Sequence, residues 1–111
     1  MINITVIKQG EFILTIEASG HSGYAEEGSD IICSAVSTLT QNCEKGLKEM
    51  LGIKTIFSRN VNKAYLSISL PNDISEQLMH DAQVLLRSTY LGLKDLADSY
   101  PKFINIKEKR K

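Results

Sequence analysis

The chain has 111 residues, 42% of them hydrophobic, with 13 basic residues balancing 13 acidic ones. That length fits one domain over 1–111 that buries a core without staples, and the zero net charge argues against a general nucleic-acid binder. Two cysteines do not make a disulfide framework, no apolar run approaches membrane-spanning length, and the opening residues lack a basic region or small-residue cleavage site, so a cytoplasmic protein with reduced thiols is expected, with no membrane partner.

Along the chain, Ile2, Ile4 and Val6 alternate with polar residues, Gln9-Gly10 turns, and Phe12, Leu14, Ile16 and Ala18 alternate again, which predicts a β-hairpin with one buried face. His21 follows the second strand and opens a glycine-punctuated loop. Ser29 or Asp30 then supplies an N-cap. Ile32, Val36, Leu39, Cys43, Leu47 and Met50 recur at helical spacing until Gly52 supplies a stop.

Two further strands are predicted at 54–58 and 63–70, around the turn Arg59-Asn60-Val61-Asn62, with Ala64, Leu66, Ile68 and Leu70 on one face and Pro71 ending the pairing. Asn72, Asp73 or Ser75 can cap a long helix through about Ser99, whose apolar stripe is Leu78, Ala82, Leu85, Tyr90, Leu93 and Leu96. His80, beside Asp81 and with no matching cysteine, reads as an exposed helical residue. Tyr100-Pro101 breaks the helix, Phe103 to Ile106 returns as an edge strand, and Lys107 to Lys111 reads as a short basic tail.

The order ββαββαβ predicts an α+β two-layer sandwich, one mostly antiparallel sheet with both helices on a single face. Ile7, Ile13 and Ile53 do not fit a fully polar outer face. Part of that face is therefore expected to be covered by a second copy of the chain, with chance exposure as the alternative.

The chemistry-bearing segment runs from Gly20 to Cys33. With Asp30 as cap, Cys33 falls in the first helical turn, where unpaired backbone N–H groups and the helix dipole favour a thiolate. Asp30 opposes this, because a carboxylate one turn away repels a thiolate, so it reads as a cap or as an orienter of His21. A small packed cysteine and a surface histidine are the plain alternatives. Cys43 lies ten residues further along the same helix, about 15 Å away, too far to bridge with Cys33 or share an ion. His21, Asp30 and Cys33 also lack a fourth ligand, so neither a metal nor another cofactor is expected.

Gly20-His21 through Asp30-Ile31-Ile32-Cys33-Ser34-Ala35-Val36-Ser37 resembles the signature of the ribosomal-processing cysteine protease family, G-H-x-G-x-A-x-x-G-x-D-[IV]-[IV]-C-[AS]-A-[VI]-S, over the whole motif without a gap. Ser34 stands where alanine is the commoner residue, a mild departure. The resemblance implies that Cys33 is the nucleophile and His21 its proton partner, with Gly20, Asp30 and Ser37 supporting the site. It also implies a homodimer and, as substrate, the N-terminal extension of the large-subunit ribosomal protein numbered twenty-seven, removed in support of ribosome assembly. A non-catalytic peptide-binding assembly factor and a thiol redox sensor are the alternatives. The loop from Ser22 to Ser29, with glycines at 23 and 28 and like charges at Glu26 and Glu27, is expected to be mobile without peptide.

Overall fold

The computed structural model describes residues 1–21 and 30–111. In chain order these form β1 (Ile2–Gln9), β2 (Phe12–Ser19), α1 (Ile31–Lys45), a π-helical turn (Gly46–Met50), β3 (Ile56–Asn60), β4 (Tyr65–Ser69), α2 (Glu76–Ser99) and β5 (Ile104–Arg110). The strands make one sheet in the order β3-β4-β2-β1-β5, antiparallel throughout except for the β1–β5 pair. Both helices pack on one face of it, and a single core unites them with the sheet, so the expected two-layer α+β sandwich is the observed one.

The first hairpin departs from the predicted alternation. Val6 pairs with Ile16 and Ile4 with Ala18 on the core face, but the register shifts between Ile7 and Lys8, where Thr15 and Ile13 are successive partners and Leu14 is the extra residue of a β-bulge. Inserting one residue reverses the parity beyond it, so Ile13 is buried and Phe12 is 47% exposed. Gln83 of α2 serves the backbone there: its Oε1 accepts from Ile13 N at 2.8 Å and its Nε2 donates to Ile13 O at 2.9 Å. Ile53 is buried in the core as well. Of the three residues assigned to the outer sheet face, then, Ile13 and Ile53 lie inside, and only Ile7 remains, half-buried.

α1 buries Ile32, Val36 and Cys43 as predicted, but its regular form ends at Lys45. In the wider π-turn Leu47 faces the core while Met50 is 76% exposed, so Met50 leaves the predicted stripe. The turn begins at Gly46, where a Cβ would lie 3.0 Å from Leu85 Cδ1 of α2, a close approach of the two helices that a larger residue would obstruct.

Ser75 caps α2, its Oγ accepting from Leu78 N at 3.2 Å, and the helix ends at Ser99 as predicted. Ala82, Leu86 and Leu93 form its buried side with Gln83 and Thr89, while Leu78, Leu85, Tyr90 and Leu96 pack partly buried around the core.

Two segments near strand ends differ from the sequence reading. In the second hairpin the turn falls at 61–64, so Arg59 and Asn60 belong to β3 and Ala64 sits in the turn at φ 48 rather than on the buried face. At the C-terminus, Lys107 to Arg110 are not a solvated tail. They continue β5 in register with Thr5 to Lys8, because β1 offers a free edge whose backbone groups need partners. The Glu108 carboxylate accepts from Tyr90 Oη at 2.7 Å and pairs with Lys8 Nζ at 3.4 Å, and the Arg110 guanidinium donates to the Gly10 carbonyl.

Candidate active site

Asp30 precedes α1 in an extended conformation, φ −77 and ψ 101, which turns its side chain back over the first helical turn. Oδ1 accepts from Ile32 N at 3.0 Å and from Cys33 N at 3.1 Å, the capping role expected of it. Oδ2 also accepts from Cys33 Sγ at 3.3 Å, a contact the spacing alone did not reveal. One buried carboxylate thus fixes both the backbone and the sulfur of Cys33. The helix N-terminus favours negative charge on the sulfur, whereas the carboxylate favours a retained proton, and the two influences meet at one atom.

His21 is positioned from the other side, by Gly20. Gly20 has φ 93, in the left-handed region, and a Cβ built on it would strike the carbonyl oxygen of Met1, so only glycine lets the chain leave β2 along this path. Its N–H donates to Ala64 O at 2.9 Å, tying the exit of β2 to the turn between β3 and β4.

His21 and Cys33 line the same open cleft, about 480 Å³ in volume. Its apolar floor is Ile2, Ala18, Val36 and Leu66, and α1 contributes Cys33, Ser34, Ser37 and Thr38 behind the capping Asp30. All five residues singled out from the sequence, Gly20, His21, Asp30, Cys33 and Ser37, therefore border one cavity, with Ser37 one helical turn beyond Cys33. The expected mobility of Ser22 to Ser29 lies outside the described residues.

The opposite wall escaped the sequence reading. Arg59, Asn60, Val61 and Tyr65 border the cleft from the second hairpin, and the sequence carries no signal for it, because Ser58-Arg59-Asn60 are consecutive polar residues and Arg59-Asn60-Val61-Asn62 looks locally like a turn. Cys43 and His80 are not part of this site. Cys43 is buried, its Sγ 3.8 Å from Leu85 O, and burial pushes its thiol up from the ordinary value. His80 is solvent-exposed on α2, 3.8 Å from Asp81.

Among the described residues no group of three His, Cys, Asp or Glu side chains is arranged to hold a metal ion, and no helix is long and apolar enough to cross a membrane. What the arrangement offers is a thiol in the capped first turn of a helix and a histidine in the same cleft.

Comparisons with known proteins agree with this chemistry. The chain is 31% identical over 98 residues to the ribosomal processing cysteine protease Prp of Mycoplasma pneumoniae, covering 86% of this chain and 88% of that one. Its similarity to the Bacillus subtilis protein of the same description is 22% over 88 residues, 79% of each chain. Among solved structures, SMU.848 from Streptococcus mutans superposes with a TM-score of 0.86 at 29% identity, covering 100% of this chain and 96% of that one. The essential ribosomal processing protease Prp from S. aureus, in complex with a covalently linked product peptide, gives a TM-score of 0.86 at 18% identity over 98% of this chain and 100% of that one, a likeness of fold. The family model described as cysteine protease Prp matches residues 1–105, and the chain belongs to that family of cysteine proteases.

Proposed function

We propose that Cys33 is the nucleophile and His21 the acid–base of peptide-bond hydrolysis in the cleft. Cys33 Sγ gives up its proton and attacks the scissile carbonyl, with His21 taking that proton and returning it to the leaving amine. Water, deprotonated by the same imidazole, then releases the acyl group and restores the thiol. Asp30, by accepting from the first-turn N–H groups and the thiol, holds the turn that presents the Cys33 sulfur. Ser37 and Gly20 support the site, Ser37 from one turn along α1 and Gly20 through the chain path it alone permits.

The observation that carries this reading is the placement of Cys33 at a capped helix N-terminus in the same cleft as His21. The substrate follows from the sequence signature: the N-terminal extension of the large-subunit ribosomal protein numbered twenty-seven, removed in the cytoplasm in support of ribosome assembly. The active species is a homodimer by the same resemblance. Incubating the protein with the extended ribosomal protein and reading product masses tests the substrate; a single cut within the extension is expected, and an uncut substrate contradicts it. Light scattering tests the dimer, for which a monomer at micromolar concentration is the contrary result.

A further inference from the structure

We infer that Arg59 is a specificity-determining residue of the peptidase proposed above, pairing with an acidic side chain of the peptide in the cleft. The inference rests on that reading of the cleft as the peptide site. In the β3–β4 ladder Arg59 stands opposite Leu66, and cross-strand partners share a face of the sheet, so the arginine projects on the side of the buried Leu66, where α1 and Cys33 lie. It borders the cavity together with Cys33 and His21.

Two other cations of the sheet are engaged, Lys8 with Glu108 and Arg110 with the Gly10 carbonyl. Arg59 has no such partner among the described residues. The carboxylate of Asp30, which borders the same cleft, is already committed to the first turn of α1 and the Cys33 thiol. A planar guanidinium beside an apolar floor of Ala18, Val36 and Leu66 is matched by a carboxylate that takes two parallel N–H donors, with the low-polarity floor reducing competition from water. A lysine or arginine in the substrate at that place meets like charge.

The test uses the N-terminal extension of the ribosomal protein as a labelled peptide, with a single glutamate or lysine walked through each position flanking the scissile bond. Two quantities are read: kcat/KM with the full chain, and Kd by fluorescence anisotropy in a Cys33→Ala background. At one position glutamate is expected to exceed lysine by about fivefold in both, the scale of a rim ion pair, with the gap narrowing in high salt. Arg59→Gln should erase that preference and Arg59→Glu reverse it, and the exposure of Arg59 leaves the fold of either variant undisturbed.

Equal binding of all peptides, or one preference shared by all three proteins, overturns the inference. If peptides bind with an Arg59-dependent preference yet none is cut, the inference stands as a binding property and the cysteine reaction is what fails.

Discussion

At Cys33 a single carboxylate performs two tasks that electrostatics sets against each other. Asp30 must accept from the first-turn N–H groups to start α1, yet its second oxygen lies 3.3 Å from the sulfur. Asp30→Asn keeps an acceptor for the cap and removes the charge, so the pH midpoint for Cys33 alkylation by iodoacetamide should move down; an unchanged or raised midpoint means that the carboxylate does not hold the proton on sulfur. Asp30→Ala, which also removes the cap, should cost about 1 kcal/mol in stability.

Cys43 keeps its proton for a different reason, burial. Burial raises its folded-state pKa above the ordinary 9.0, so the folded chain retains this proton where the unfolded chain has lost it. Its contribution to stability is complete below that ordinary value and declines as pH rises above it, and the melting temperature of the wild type should fall more steeply above pH 9 than that of Cys43→Ala, which has no thiol to titrate. Parallel curves contradict this.

The cap and the position of Cys33 were legible because both depend on residues three apart in sequence. The sulfur–carboxylate contact was not, since it depends on the direction each side chain takes once the turn has formed.

Among the elements, the bulge in β2 decides the most. It turns Ile13 inward and leaves its amide and carbonyl to Gln83 of α2, a residue 70 positions away. Gln83→Leu retains bulk but orphans two buried backbone groups, and a loss of about 2–4 kcal/mol in urea unfolding is expected. A loss below about 0.5 kcal/mol shows that water or a shifted backbone satisfies them.

Period-two alternation cannot foresee an inserted residue, which is why Phe12 and Leu14 read as inward and Ile13 as outward. The second hairpin misled for a related reason: Arg59 and Asn60 resemble turn residues locally, but pairing with Tyr65 and Leu66 keeps them in the strand. Both helices, by contrast, were read closely at their starts because Asp30 and Ser75 cap them through local hydrogen bonds.

For the whole molecule, element order and one-sided helix packing followed from the pattern of apolar residues, while the parallel docking of β5 on β1 did not, since a charged Lys107-Glu108-Lys109-Arg110 run carries no apolar alternation. The outer sheet face carries different residues from those expected, without Ile13 and Ile53. Thr15 and Ser69 hydrogen-bond across it at 2.9 Å, and Tyr65 Oη donates to Glu17 at 3.2 Å, while Ile56 opposite Ser69 is 60% exposed.

That architecture brings the end of β2, the start of α1 and the second hairpin to one cleft, and hydrolysis there requires a covalent step at Cys33. Acid-quenching the reaction with the extended ribosomal protein and mapping the enzyme by mass spectrometry tests that step directly. A transient gain equal to the mass of the released N-terminal segment less one water is expected, confined to the peptide containing Cys33 and absent from Cys33→Ala, which should not cleave. An adduct on Cys43, or cleavage by Cys33→Ala at the wild-type rate, would contradict it.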